Sequence, residues 1–180
     1  MLMLLAFVSS AFYIFRRKKV YFHEDQVTTT GTVFAPVSGK VVRVSEGNTK
    51  SITIRMNILD ELGIYLPCTS EIKNLNFHSD YSSFRFSSLN LDSSEVGTVL
   101  ELSDKKKRVI SLQFIRFVTG RLPELVILPG DRGRRQVNIG YFPYGGFVIL
   151  NLPEESEIVV KEGDRLVATE AIVARFKNEE

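Results

Sequence analysis

Short runs of alternating apolar and polar residues recur through most of this chain, with the period of strands and not of helices. Ser51–Met56 (SITIRM) alternates cleanly, the signature of a half-buried strand. Lys40–Val44 alternates after the turn Pro36-Val37-Ser38-Gly39, and Val33-Phe34-Ala35 leads into that turn. Val96–Leu102 and Val109–Phe117 flank Asp104-Lys105-Lys106-Lys107, which predicts a hairpin with a solvated basic tip. Asn57–Pro67, with Asp60, Glu61 and Gly63, is expected to be a loop. Residues 78–95 are rich in serine and aromatics without a period, and are expected to form a loop or a partly ordered excursion. No segment after residue 20 holds a long 3.6-residue apolar period. The pattern predicts a mainly β fold, a compact barrel or sandwich of short strands, plus an N-terminal apolar helix.

Two features stand out within this pattern. In Gly130–Pro153, two apolar runs surround Tyr144-Gly145-Gly146, which predicts two strands and a glycine pair where the backbone bends or approaches something closely. The turn Gly130-Asp131-Arg132 recurs as Gly163-Asp164-Arg165. Each follows an apolar strand and has an isoleucine nine residues after the glycine, Ile139 and Ile172. This predicts an internal repeat of strand–turn–strand units.

The N-terminus differs from the rest. Residues 1–15 are almost wholly apolar, and Arg16-Arg17-Lys18-Lys19 follow at once. A full span takes about 20 apolar residues, and an upstream start would complete one. A secretory signal would carry its charge before the apolar run. Charge after it suits an anchor with its basic end at the cytoplasmic face of the inner or plasma membrane. A buried N-terminal helix is the alternative. The expected organisation is an anchor helix over 1–19, a linker over 20–31 and a β domain over 32–177.

Composition narrows the chemistry. The 180 residues are 44% hydrophobic and 24% charged, enough for a core. A net charge of +2, with no row of exposed aromatics between the arginines, does not suit nucleic acid. The single Cys68 forms no internal disulfide, and His23 and His78 are too few and too far apart for a zinc site, so no metal is expected. The phosphate-binding, dinucleotide, nucleophile-elbow and zinc-protease motifs are all absent. Adjacent Asp60 and Glu61 would point to opposite faces of a strand and make no acid/base pair, and Asp60 is expected to cap a turn. Val37–Lys40 resembles the turn of lipoyl and biotinyl carriers, but Lys40 opens a valine strand where a carrier lysine would sit at a hairpin tip.

Taken together, APVSGKVV, ITIRMNILDELGIYLP, GDRGRRQVNIGYFPYGGFVILNLP and EIVVKEGDRLVATEAIVA resemble the short, archaetidylserine decarboxylase-like form of the phosphatidylserine decarboxylase family. The order is kept from about residue 12 to 175. The match is strongest over Gly130–Ala174 and weak between residues 75 and 110. The resemblance implies a proenzyme in which the serine of a Gly-Ser step attacks the preceding carbonyl. Elimination then leaves a pyruvoyl-ended chain that decarboxylates the lipid's serine head group.

The residues that this chemistry needs are missing here. Where the family reads phenylalanine-glycine-serine, this chain has Tyr144-Gly145-Gly146. Ser38 stands where the family has its aspartate, and Leu62 and Tyr65 stand at its two histidine positions. The expectation is a pseudoenzyme without a pyruvoyl group, whose vestigial positions are Ser38, Leu62, Tyr65, Gly145 and Gly146. Its expected role is to bind lipid head groups or to serve as a scaffold. Arg121, Arg132, Arg134 and Arg135 are the candidate phosphate contacts, Arg121 standing at a family arginine. The expected partners are membrane phospholipid or another membrane protein, in a homo- or hetero-oligomer, and not nucleic acid. An active decarboxylase with an unusual centre, a regulatory subunit of one, and a β-rich component of an envelope assembly remain alternatives.

Overall fold

The computed structural model describes residue 10 and residues 31–47, 49–77, 97–117 and 120–176. The apolar segment and its basic end at 1–19 (residue 10 apart), linker residues 20–30 and the serine-aromatic stretch at 79–91 lie outside the described residues. No helix among the described residues is long and apolar enough to cross a membrane.

Among the described residues fourteen strands form three sheets, all of whose pairings are antiparallel. The strands are β1 (Thr32–Phe34), β2 (Gly39–Glu46), β3 (Lys50–Met56), β4 (Gly63–Tyr65), β5 (Ser70–Phe77), β6 (Thr98–Asp104) and β7 (Val109–Arg116). They continue with β8 (Glu124–Leu125), β9 (Arg132–Gly133), β10 (Asn138–Tyr141), β11 (Gly146–Leu152), β12 (Ser156–Ile158), β13 (Arg165–Leu166) and β14 (Ile172–Phe176). The large sheet has the order β13-β2-β3-β11-β7-β6-β5-β9, and the two small ones are β1-β14-β12 and β4-β10-β8.

The mainly β expectation holds. The barrel does not: β13 and β9 end the large sheet without pairing to each other, so none of the three sheets closes. A single cluster joins all three, from Ile52, Ile54 and Leu150 of the large sheet to Val33, Ile64, Ile139 and Val173 of the small ones. β11 is a central strand, paired with β3 on one side and β7 on the other, which accounts for its continuous apolar run. The expected loop over 57–67 is shorter than read, because Gly63–Tyr65 pairs with β10. The hairpin around Asp104–Lys107 is as expected: Ser103 pairs with Val109, and Asp104 Oδ1 accepts from the amides of Lys106 and Arg108 at 2.8 and 2.9 Å.

The repeat is far more extensive than the two Gly-Asp turns. The strand order of the large sheet is palindromic about the β11–β7 pair, with β13, β2 and β3 mirrored by β9, β5 and β6. Lys40 pairs with Arg165 and Arg55; correspondingly, Glu71 pairs with Arg132 and Ser103. β2 has its irregularity between Val41 and Arg43, and β5 has the same one between Ile72 and Asn74. β1 and β4 shift register at matching points against β14 and β10. Hydrogen bonds repeat in kind. The Phe34 amide donates to the Pro67 carbonyl and the Tyr65 amide to the Pro36 carbonyl, at 2.9 and 2.8 Å. Asp131 Oδ2 accepts from the Leu128 amide and Asp164 Oδ2 from the Lys161 amide, both at 2.8 Å. Gly130 and Gly163 have φ of 95° and 97°, which glycine adopts without steric cost. One detail differs from the sequence reading. The carbonyls that accept from Val126 and Val159 belong to Ile139 and Val173, so Ile139 corresponds to Val173 and not to Ile172.

The duplication has an unusual chain path. One copy, β4 to β10, is continuous. The other consists of β1, β2 and β3 followed by β11 to β14. The pair Asp104 and Arg108, which brackets the β6–β7 hairpin tip, corresponds to Met56 and Gly146. The continuous copy is therefore inserted at the hairpin tip of the other. It enters through Asn57–Leu62 and leaves through Phe142–Gly145.

Candidate functional site

The entry and exit segments of this insertion lie side by side, and the five positions singled out from the sequence, Ser38, Leu62, Tyr65, Gly145 and Gly146, are on or beside them. Asp60 closes the entry loop: its Oδ2 accepts from the Asn57 amide at 2.8 Å, as expected of a turn-capping aspartate. Its Oδ1 accepts from Arg165 at 3.1 Å. Leu62 is buried in the core, and its carbonyl accepts from the Phe142 amide at 2.8 Å, tying the entry loop to the exit turn.

The exit turn runs Phe142-Pro143-Tyr144-Gly145, closed by the Gly145 amide on the Phe142 carbonyl at 3.1 Å. Proline presets the first central φ, and Tyr144 takes the second at +63°. Gly145 follows at +73°. Two successive left-handed residues reverse the chain from β10 in a small sheet to β11 in the large one. The two strands expected in Gly130–Pro153 are therefore present, but they do not pair with each other.

Both glycines are held at close quarters. A Cβ on Gly145 would overlap the Met56 carbonyl oxygen and lie 2.9 Å from its carbon. One on Gly146 would overlap the Ile115 carbonyl oxygen and lie 2.7 Å from Phe142 Cζ. Phe142 itself is fixed edge-to-face on Phe114, with ring centroids 5.8 Å apart. Phe147 points to the opposite face of the sheet and packs edge-to-face on Phe117, centroids 5.5 Å apart. The step from Gly145 to Gly146 thus presents backbone alone.

Polar side chains meet at the entry segment. The Tyr65 hydroxyl donates to Glu61 Oε1. Ser38 Oγ donates to Glu61 Oε2 at 3.5 Å and accepts from the Ala168 amide at 2.9 Å. Ser38 and Tyr65 are both buried. A carboxylate and two hydroxyls therefore stand where the family pattern places an aspartate and a histidine. This set can accept and donate hydrogen bonds, but it contains no imidazole. The sequence reading missed Glu61, having dismissed it as half of a pair with Asp60. The two take different partners, yet Glu61 lies four residues from Tyr65 across the narrow Gly63, where an added Cβ would meet the Tyr65 ring at 2.8 Å.

The candidate arginines sit elsewhere. Arg121 and Arg134 are exposed. Arg132 pairs across β9 and β5 with Glu71 at 3.1 Å, and its side chain is 83% exposed. Arg135 lies over the Phe34 ring at 5.5 Å. Among the described residues no group of three His, Cys, Asp or Glu side chains is placed to hold a metal ion.

No known family model matches the chain. The chain is similar to a phosphatidylserine decarboxylase proenzyme from Chlorobium limicola, 26% identical over 171 residues, covering 87% of this chain and 78% of the relative. The chain resembles the phosphatidylserine decarboxylase family. By the resemblance drawn from the sequence, Gly146 stands at the position expected to hold the family's self-processing serine. The structure puts this position at the first residue of a central strand, against the Ile115 carbonyl. The residues present do not fit a pyruvoyl group: glycine has no Cβ from which its methyl would come, and the space for one is filled.

Proposed function

We propose that this chain is a non-catalytic, phosphatidylserine decarboxylase-like protein that works at the cytoplasmic face of a membrane, by binding lipid head groups or scaffolding a membrane partner. The reading rests on one observation above the others. At Gly146 there is neither a nucleophile nor room for one, because a backbone carbonyl and the Phe142 ring occupy the place. Leu62 supports it, being a core residue where proton transfer would need an imidazole. A single substitution is compatible with a variant mechanism. Loss of nucleophile, aspartate and both histidines together is better explained by loss of self-processing.

Intact-mass spectrometry of the purified full chain tests this directly. The expected result is one uncut chain of 20.4 kDa. A cleavage product at Gly145/Gly146 would overturn the proposal. Gly146→Ser alone is expected to remain uncut, since Ser38, Leu62 and Tyr65 are unchanged. Membrane association is tested separately by carbonate washing, in which release of the protein removes the anchor from the proposal.

A further inference from the structure

The two copies of the motif are matched in backbone and opposed in surface chemistry. Residues 121–136 carry four arginines, one glutamate and one aspartate. The corresponding residues 154–169 carry four glutamates, one aspartate, one lysine and one arginine. Arg121 and Leu122 correspond to Glu154 and Glu155, and Leu128 corresponds to Lys161. The fold is satisfied by either set, so it does not dictate the basic and apolar one.

That set is also presented outward. Leu125 and Ile127 pack against the core, while the alternate residues Val126 and Leu128 are 84% and 69% exposed. The Val126 amide donates to the Ile139 carbonyl at 2.9 Å, which lays this run beside the segment containing exposed Val137. Leu122 is exposed at the start of the run. Arg121 and Arg134 have no carboxylate within 4 Å among the described residues, and the Arg132 guanidinium is largely in solvent beside Glu71. Of the two carboxylates in the stretch, Asp131 is engaged by the Leu128 amide; Glu124 is exposed.

We propose that the outward face of residues 121–137 seats the protein on an anionic phospholipid bilayer, with Val126 and Leu128 entering the head-group boundary and Arg121, Arg132 and Arg134 contacting phosphate. Exposed aliphatic side chains and exposed arginines in one short stretch suit such a surface: the apolar groups leave water, and the cations meet the negative surface potential. The proposal rests on the membrane-associated reading and names the surface involved. It does not depend on the loss of catalysis, so an uncut or cut chain leaves it unaffected.

The test uses the full chain reconstituted into vesicles of phosphatidylcholine with or without phosphatidylglycerol. Cysteines replace Val126, Leu128 or, as the matched control in the other copy, Val159, each exposed in the fold. They carry an environment-sensitive nitrobenzoxadiazole label. The parent chain, with only the buried Cys68, corrects for background labelling. The labels at 126 and 128 are expected to brighten, shift to the blue and be quenched by nitroxide lipids when phosphatidylglycerol is present. The label at 159 is expected to stay aqueous. With Arg121→Gln and Arg134→Gln, the phosphatidylglycerol needed for half the response should rise about fivefold per arginine. Equal behaviour of all three labels, a response indifferent to anionic lipid, or a response to an added protein in place of vesicles each overturns the proposal.

Discussion

Lys105-Lys106-Lys107 and the whole of Asn57–Gly145 fill the same place in two copies of one motif. In the continuous copy the hairpin tip is closed by Asp104, whose carboxylate takes two backbone amides and the Arg108 guanidinium at 2.6 Å. Arg108 in turn lies 3.6 Å over the Phe176 ring. In the interrupted copy the tip is open. Met56 and Gly146 stand where Asp104 and Arg108 stand, and a full second copy runs between them. The residue before this matched pair, Arg108 and Gly146, is left-handed in both: Lys107 at φ 62° and Gly145 at 73°. The backbone at Gly145 is thus a requirement of the hairpin, shared with a tip that has no part in the candidate site. What distinguishes the candidate site is how tightly the returning strand is enclosed. This is why the unusual conformation alone would be poor evidence of function.

The sharpest way to break this comparison is to exchange the left-handed residues. Gly145→Ala forces a Cβ both into a left-handed conformation and into the Met56 carbonyl. It should cost about 3 kcal/mol, combining about 1–2 for the conformation with about 1–3 for overpacking. Lys107→Gly relieves the conformation at an exposed tip but frees the unfolded chain, and should stay within about 1 kcal/mol of the parent. Urea unfolding midpoints measure both. Equal costs would show that the two positions are not enclosed differently.

The Gly-Asp turns sharpen the duplication itself. Gly130 and Gly163 have nearly equal φ, and nothing lies within 4 Å of a Cβ on either. Gly130→Ala and Gly163→Ala should therefore each cost about 1–2 kcal/mol, for conformation alone. Costs that differ by more than that spread would mean that the copies do not share an energetic design. Tyr65→Phe is a milder probe, since it turns Tyr65 into its counterpart Phe34. Loss of the hydroxyl from Glu61 should cost about 1 kcal/mol, and no change in the unfolding midpoint would remove Glu61 from the site's structural logic.

How much of this was legible in the sequence follows from which signals are local. The Gly-Asp turns are legible because a left-handed glycine and a side-chain-capped turn need particular residues at fixed spacing. SITIRM and the Asp104 hairpin are legible because one period and one turn decide them. β5 is not, because SEIKNLNF lies near a sheet edge with only two of its eight residues buried and has no clean alternation. β4, three residues within a run of loop-forming ones, is hidden for a similar reason. The barrel expectation failed because repeated strand–turn–strand units fix neighbours and not closure; here a palindromic order leaves both ends of the large sheet open. The inserted copy escapes detection because β2 and β5 share register and bulge but almost no residues. Glu61 was missed since its partners, Ser38 and Tyr65, are assembled by a loop that was read as lacking structure. The close quarters around Gly146 were not legible either, because the Ile115 carbonyl comes from a distant part of the chain and the Phe142 ring meets it only through the exit turn.

The smallest expected effect concerns one cross-strand pair. In the interrupted copy the pair is Lys40 with Arg165, two cations, and Arg165 turns away to Asp60. In the continuous copy it is Glu71 with Arg132, and Glu71 also meets Lys73 at 2.6 Å. The Lys73 hydrogen bond, followed by that of Arg132, holds the Glu71 carboxyl below its ordinary value. A carboxyl whose folded pKa is depressed adds stability that is present above its unfolded pKa and lost as pH falls through the folded one. Glu71→Gln should therefore lower stability slightly near neutral pH, and the difference from the parent should vanish in acid, below the ordinary carboxylate range. The Glu71 side chain is partly exposed and both its partners are exposed, so added salt should shrink the difference as well. A difference that persists in acid would assign the effect to packing, and the opposed charges of the two copies would then matter for what approaches the surface and not for the fold.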